Sequence, residues 1–263
     1  MATRNFMEMS QEQWRQNKFV CVGLDVEISK IPECVQTRCE MSRVFAFNEA
    51  IIDYTMDFAG CYKPNFGFYE GLGHDGILDH KEGDIGNTNI PYVMAAFEYF
   101  GADAVTIHPY LGQKAMQPFL DQKDKGIIVL CRTSNPGAGE FQDLIIIAAD
   151  APKPAIPLYQ YVAHRVCNYW NKNGNCLLVV GATYPEELGC VREMVGDMPI
   201  LIPGIGAQGG DIQKTITNGK DSQGKGMIIN SSRGIIYASN GPDFVDAARR
   251  ETQKLHNAIN QYR

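Results

Sequence analysis

Short apolar runs alternate with longer amphipathic stretches along most of this chain. Eight runs read as strands: 19–25, 61–66, 76–81, 104–110, 126–133, 176–183, 199–206 and 227–231. Several are apolar without interruption, as in Ile127, Ile128, Val129 and Leu130, which suits parallel strands covered on both faces. The stretches 42–58, 89–100, 158–170 and 185–195 repeat apolar residues at helical spacing and supply the covers. Alternation of this kind defines an α/β fold.

Eight βα units allow a closed barrel or a doubly wound open sheet, and the placement of polar residues chooses between them. Asp25, Lys63, Asp79, Lys81, His108, Ser134, Gln208 and Arg233 fall at the carboxyl ends of different strands or in the loops just after them. A (β/α)8 barrel builds its active face in that way. The chain has 263 residues, with no internal repeat, low-complexity tract or linker, so residues 1–263 are expected to form a single barrel domain.

One connection breaks the pattern. Only about ten residues separate the second run from the third, whereas a parallel crossover normally takes a dozen or more. The second β-α-β crossover is therefore predicted to be abbreviated, either with its helix reduced to a turn near 69–73 or with a segment missing, and with no full helix over 68–77. A lost helix would uncover one flank of the strands carrying Lys63, Asp79 and Lys81.

Composition narrows the function. Hydrophobic residues make up 44% and charged residues 21%, within the globular range. A net charge of −6 argues against nucleic-acid binding, which needs clustered cations. No apolar run approaches the roughly 20 residues that span a bilayer, and residues 1–17 are too polar for a targeting peptide, so a cytoplasmic protein without membrane association is expected. The eight cysteines sit in apolar runs or on helices without paired spacings and are expected to be reduced, buried thiols. Cys34 and Cys39 come closest to a metal pair, but no histidine or second pair accompanies them, and no metal site is expected. Trp14 and Trp170 read as packing residues.

Three constellations carry candidate chemistry. Asp79 and Lys81 lie two apart on one strand and face the same side. With Lys63 from the preceding strand they would place alternating charges in a small volume. Each opposite pair at about 4 Å contributes roughly 4 kcal/mol at an effective dielectric near 20, before desolvation. A salt-bridge ladder on a surface turn has the same pattern. Second, the glycine-rich stretch from Pro203 through Gln208 to Gly210, with Arg233 and Gly234 a strand later, lies where barrels bind phosphate. Glycine lets backbone N–H groups approach an anion and arginine offers a planar fork, although tight turns also account for the glycines. Third, Arg132-Thr133-Ser134-Asn135-Pro136-Gly137 follows a strand directly, where a hydroxyl can meet an amide-like ring edge or simply form a turn. His108 would line the mouth.

Together these segments resemble the orotidine 5′-phosphate decarboxylase family, particularly its longer bacterial branch. The likeness runs through Val22-Gly23-Leu24-Asp25, Tyr62-Lys63-Pro64-Asn65-Phe66, the stretch from Leu78 to Thr88, His108-Pro109-Tyr110-Leu111-Gly112, Thr133-Ser134-Asn135-Pro136-Gly137, Val180-Gly181-Ala182-Thr183-Tyr184-Pro185 and Pro203 to Gly210. The resemblance implies a cofactor-free decarboxylation of orotidine 5′-monophosphate to UMP. It makes Lys63, Asp79, Lys81 and Asp84 the catalytic charge network, with Lys81 protonating C6. It implies a homodimer with shared sites, in which Asp84, Ile85 and Thr88 reach the neighbouring subunit. By the same resemblance Asp25 holds a ribose hydroxyl, Ser134 contacts the pyrimidine, and Pro203, Gln208, Arg233 and Gly234 belong to the phosphate grip. The chain departs from the family in the short crossover and in the apolar, proline-rich stretch 145–157. Related barrels with the same D-x-K-x-x-D pattern act on sugar phosphates with a metal, and a non-catalytic nucleotide-binding barrel is a further alternative.

Overall fold

The computed structural model describes residues 4–70, 83–205 and 211–263. The predicted strand 76–81 lies outside the described residues, together with Asp79, Lys81 and Gln208. Of the connection before it, the four-residue helix Gly67–Glu70 is described.

The strands in chain order are β1 Val20–Leu24, β2 Ala59–Pro64, β3 Ala104–Ile107, β4 Gly126–Arg132, β5 Ile145–Ile146, β6 Ile156–Pro157, β7 Cys176–Val180, β8 Ile200–Pro203 and β9 Met227–Ser231. Seven form one parallel sheet in the order β2-β1-β9-β8-β7-β4-β3. The helices are α1 Phe6–Arg15, α2 Glu40–Thr55, α3 Gly67–Glu70, α4 Gly86–Val93, α5 Gly112–Leu120, α6 Gly139–Gln142, α7 Leu158–Arg165, α8 Pro185–Val195, α9 Ile212–Gly219, α10 Arg233–Ile236 and α11 Phe244–Tyr262. Among the described residues, no helix is long and apolar enough to cross a membrane.

The strand order carries the topology. β1 pairs on one side with its successor β2 and on the other with β9, the last strand, through Val20↔Ile229, Cys21↔Asn230 and Val22↔Ser231. A doubly wound sheet reverses direction from its first strand and leaves the last strand at an edge. Here the order runs from β2 through β1 and β9 to β3, and the two edge strands are those that precede and follow residues 76–81 in the chain.

Alternation along each strand sorts the side chains. Val20, Ile107, Val129, Leu178, Ile200, Ile202 and Ile229 lie on one face of the sheet and are wholly buried. Burying each contributes about 1.5–3 kcal/mol relative to exposure. The alternate row, with Cys21, Ile128, Val179, Leu201 and Ile228, forms the other face of the sheet. α1 ties the amino-terminal segment to the last strand: Asn5 caps the helix by accepting from Glu8 N–H, and Trp14 Nε1 donates to Met227 O at 3.0 Å. Trp14 and Trp170 are both buried packing residues, as expected.

Three readings change in detail. The helical stretches 89–100 and 158–170 each begin as α-helix and finish as a π-helical turn, Met94–Tyr99 and Val166–Trp170. The proline-rich stretch 145–157 is closed by the antiparallel pair β5–β6, with Ile145 opposite Pro157. All eight cysteines are free, but only Cys21, Cys131 and Cys176 are buried; Cys34, Cys39 and Cys190 are exposed, on loops and an outer helix face that apolar neighbours in sequence do not cover.

Candidate active site

Register places Lys63 opposite Gly23, two residues before Asp25. Gly23 of β1 pairs with Lys63 of β2, and Cys21 with Cys61, so Cys21, Gly23, Asp25, Cys61 and Lys63 share one face of the sheet. A side chain at Gly23 would lie 2.8 Å from Ser232 Cβ, so only glycine lets the end of β9 close against β1, where Ser232 Oγ donates to Gly23 O at 2.9 Å. Beneath Lys63, hydrogen bonding to Cys61 and burial push the Cys21 thiol well above its ordinary range.

Asp25 follows β1 in a loop gripped by two tyrosines that sequence reasoning missed. Tyr69 donates to Leu24 O at 2.6 Å and receives Asn48 Nδ2 at 3.0 Å. Burial raises the Tyr69 phenol to about 12, so it stays a donor across the working pH range. Tyr237 donates to Asp25 O at 3.2 Å and accepts Glu27 N–H at 2.6 Å. The Asp25 carboxylate keeps one buried oxygen, Oδ1, with no hydrogen-bond partner among the described residues. A buried acceptor without a donor is free to take one from a hydroxyl-bearing ligand.

Asp84 precedes α4 in a loop held from both sides. Its N–H donates to Asn89 Oδ1 at 3.0 Å, and Asn89 Nδ2 donates to Asp84 O at 2.7 Å and to Ala115 O at 2.6 Å. His108 Nε2 donates to Gly83 O at 2.8 Å, which ties the end of β3 to the same loop and puts the ring proton on Nε2. Ile85 is 58% exposed, and Thr88 lies half-buried in the first turn of α4. Asn89 was not singled out from sequence; its one outward sign is a polar residue on the buried face of an amphipathic helix.

Ser134 comes two residues after β4, with its backbone against Gly181: a Cβ there would fall 2.7 Å from Ser134 Cβ. Gly181 N–H donates to Arg132 O at 2.8 Å, so the loops after β4 and β7 are joined at this point. Pro203 ends β8, and its carbonyl accepts Ala182 N–H at 2.7 Å. Arg233 and Gly234 open α10 directly after β9, and both are exposed. Thus Asp25, Lys63, Ser134, Pro203, Arg233 and Gly234 all stand at carboxyl ends of strands in one sheet, with Asp84 beyond β3's end through His108. Among the described residues, no group of three or more His, Cys, Asp or Glu side chains is placed to hold a metal.

A parallel sheet with polar and charged residues gathered at the carboxyl ends of its strands is how α/β-barrel enzymes are arranged. Comparison with known proteins specifies the family. The chain belongs to the Orotidine 5'-phosphate decarboxylase / HUMPS family, whose model matches residues 18–249. It is 43% identical over 275 residues to the orotidine 5′-phosphate decarboxylase of Cellvibrio japonicus, covering 97% of this chain and 98% of that protein. It is 44% identical over 277 residues to the corresponding protein of Ralstonia nicotianae, covering 98% and 99%. Among solved structures it resembles the OMP decarboxylase of Leishmania donovani, with a TM-score of 0.81 at 32% identity and 98% of each chain covered. The Leishmania donovani UMP synthase aligns with a TM-score of 0.84 at 34% identity, over 99% of this chain and 57% of that longer one.

Proposed function

We propose that this chain decarboxylates orotidine 5′-monophosphate to UMP without metal or cofactor, on a (β/α)8 barrel closed by the strand 76–81 between β2 and β3. The observation that carries the reading is the β1–β2 register, which sets Lys63 opposite Gly23, two residues before Asp25 with its unpartnered oxygen, in a chain of this family. The cyclic strand order supports closure, since it needs one strand between its two edges. The alignment with the Cellvibrio relative spans 275 positions yet covers 97% of this chain, leaving about twenty positions without a counterpart here. An abbreviated crossover before Asp79 accounts for a difference of that size.

In the reaction the C6–carboxylate bond breaks, CO2 leaves, and the electron pair stays on C6 in an orbital the ring cannot delocalise. Lys81 lies beside that developing charge and then delivers a proton to C6. Asp79 acts at the departing carboxylate, and Lys63 and Asp84 complete the alternating network. Preorganised charge of this kind is usually the largest catalytic term. Asp25 holds a ribose hydroxyl and Ser134 the pyrimidine edge. Pro203, Gln208, Arg233 and Gly234 grip the phosphate, whose remote binding energy is expended on the chemistry.

The active form is a homodimer in which Asp84, Ile85 and Thr88 complete the partner's site. Ile85, Ile90 and Met94, at the start and along one face of the α4 segment, are each at least half exposed, and Tyr110 is 86% exposed just before the adjoining α5. Apolar side chains grouped in this way mark a protein interface. The test is the loss of orotidine 5′-monophosphate absorbance with purified protein in EDTA. Turnover at the untreated rate is expected. Full loss restored by Mg²⁺ points instead to a sugar-phosphate relative, and UMP binding without turnover to a non-catalytic barrel.

A further inference from the structure

We infer that Gln142 is a positioning residue for Ser134, and through it a determinant of how strongly the site holds the pyrimidine ring. This rests on the reading that Ser134 faces that ring. Gln142 ends the short helix α6, ten residues after β4, yet its amide returns to the strand end and bonds Thr133 twice. Its Oε1 accepts Thr133 N–H at 2.9 Å, and its Nε2 donates to Thr133 Oγ1 at 2.9 Å. Thr133 Oγ1 donates in turn to Asn135 Oδ1 at 2.7 Å. The residues on both sides of Ser134 are thereby linked, Thr133 directly to Gln142 and Asn135 through Thr133, which limits how Ser134 can turn.

The clamp is closed from the other side. Arg132 Nη1 donates to Gln142 Oε1 and to Thr133 O, both at 3.3 Å, and Nη2 pairs with Asp143 at 3.2 Å. The Arg132 guanidinium is buried and lies 4.0 Å over the Tyr184 ring, in the loop after β7. Gly181, from the same loop, abuts the Ser134 backbone. Two neighbouring loops therefore converge on one serine. The orientation of the Gln142 amide follows from its partners, because only the oxygen can face the Thr133 N–H and the guanidinium.

A double-mutant cycle on affinity for UMP and ribose 5-phosphate tests the assignment, with Ser134→Ala, Gln142→Ala, the pair and Gln142→Glu. Ser134→Ala is expected to weaken UMP and spare ribose 5-phosphate. Gln142→Ala is expected to weaken UMP about five- to tenfold, the worth of about one hydrogen bond, with ribose 5-phosphate unchanged. In the Ser134→Ala background Gln142→Ala should cost less than about twofold, because coupled residues are not additive. Gln142→Glu retains the acceptor for Thr133 N–H and should bind UMP within about threefold of the parent. If Ser134→Ala weakens UMP but Gln142→Ala does not, or if the two losses add in full, Gln142 has no positioning role while the reading of Ser134 stands. If Ser134→Ala leaves UMP affinity intact, the reading of Ser134 fails and the inference with it.

Discussion

Asn89 holds Asp84 by both of its backbone groups, and spends its remaining donor on Ala115 at the opposite wall. The side chain is wholly buried, so every one of these bonds replaces water that cannot return. The loop that carries Asp84 is therefore set from within the packed interior rather than at the surface.

Asn89→Ala should consequently cost more than an ordinary surface truncation. It strands three polar groups, each worth about 1–3 kcal/mol when left unsatisfied, of which water can recover part. A loss of about 2 kcal/mol or more is expected in urea unfolding, together with a fall in kcat beyond that of equally destabilised variants elsewhere. Unchanged kcat in folded protein would separate Asn89 from the catalytic loop.

Arg233 makes no ion pair among the described residues and stands exposed after β9. Arg233→Ala should weaken UMP by about 1.5–3 kcal/mol, the range for a charged hydrogen bond, and leave uridine affinity nearly unchanged. Isothermal titration with the two ligands distinguishes this from a general loosening, in which both would weaken alike.

Sharing of sites between subunits can be read from hybrids. Lys81→Ala and Asp84→Asn proteins, each nearly inactive, are mixed equally under conditions that exchange subunits. Random exchange makes about half the dimers hybrid, and one site in each hybrid regains a complete set. About a quarter of the parental activity should return if sites act independently. Hybrids confirmed by mass spectrometry that show no recovery would place Asp84 within its own subunit's site.

His256 gives a pH dependence remote from the chemistry. Burial beside the Phe58 ring lowers its pKa below 6.5, and the positive charges of Lys18 and Arg263 act in the same direction. The unfolded chain thus binds a proton more readily than the folded one. The contribution to stability is present above pH 6.5 and is lost as pH falls through that value. Urea midpoints at pH 7.5 and 5.5 should differ less in His256→Gln than in the parent protein; an identical difference would remove His256 from the account.

The strands were legible because their residues obey the periodicity that burial on two faces demands: 227–231 and the helix 185–195 stand where the pattern placed them. Pro185 at the start of that helix and two glutamates in its first turn gave its beginning a chemical mark. The β5–β6 pair left no such mark, since two-residue strands have no period. Asp25, Lys63 and Ser134 could be placed at strand ends by counting. Asn89, Gln142, Tyr69 and Tyr237 could not, because each acts by reaching backbone groups distant in the chain or around a turn, and no spacing records a contact of that kind.

The pairing of β1 with β9 also bears on how the protein emerges from a ribosome. Strand Val20–Leu24 is made early, yet its partner Met227–Ser231 appears about 200 residues later, at rates near 5–20 residues per second. For some ten seconds or more the nascent polypeptide carries an apolar strand with one edge unsatisfied, and Trp14 has no carbonyl to meet. Such an edge is a template for the wrong neighbour, including another nascent copy on the same message. The interval before the sheet closes is when a chaperone has most to offer this chain.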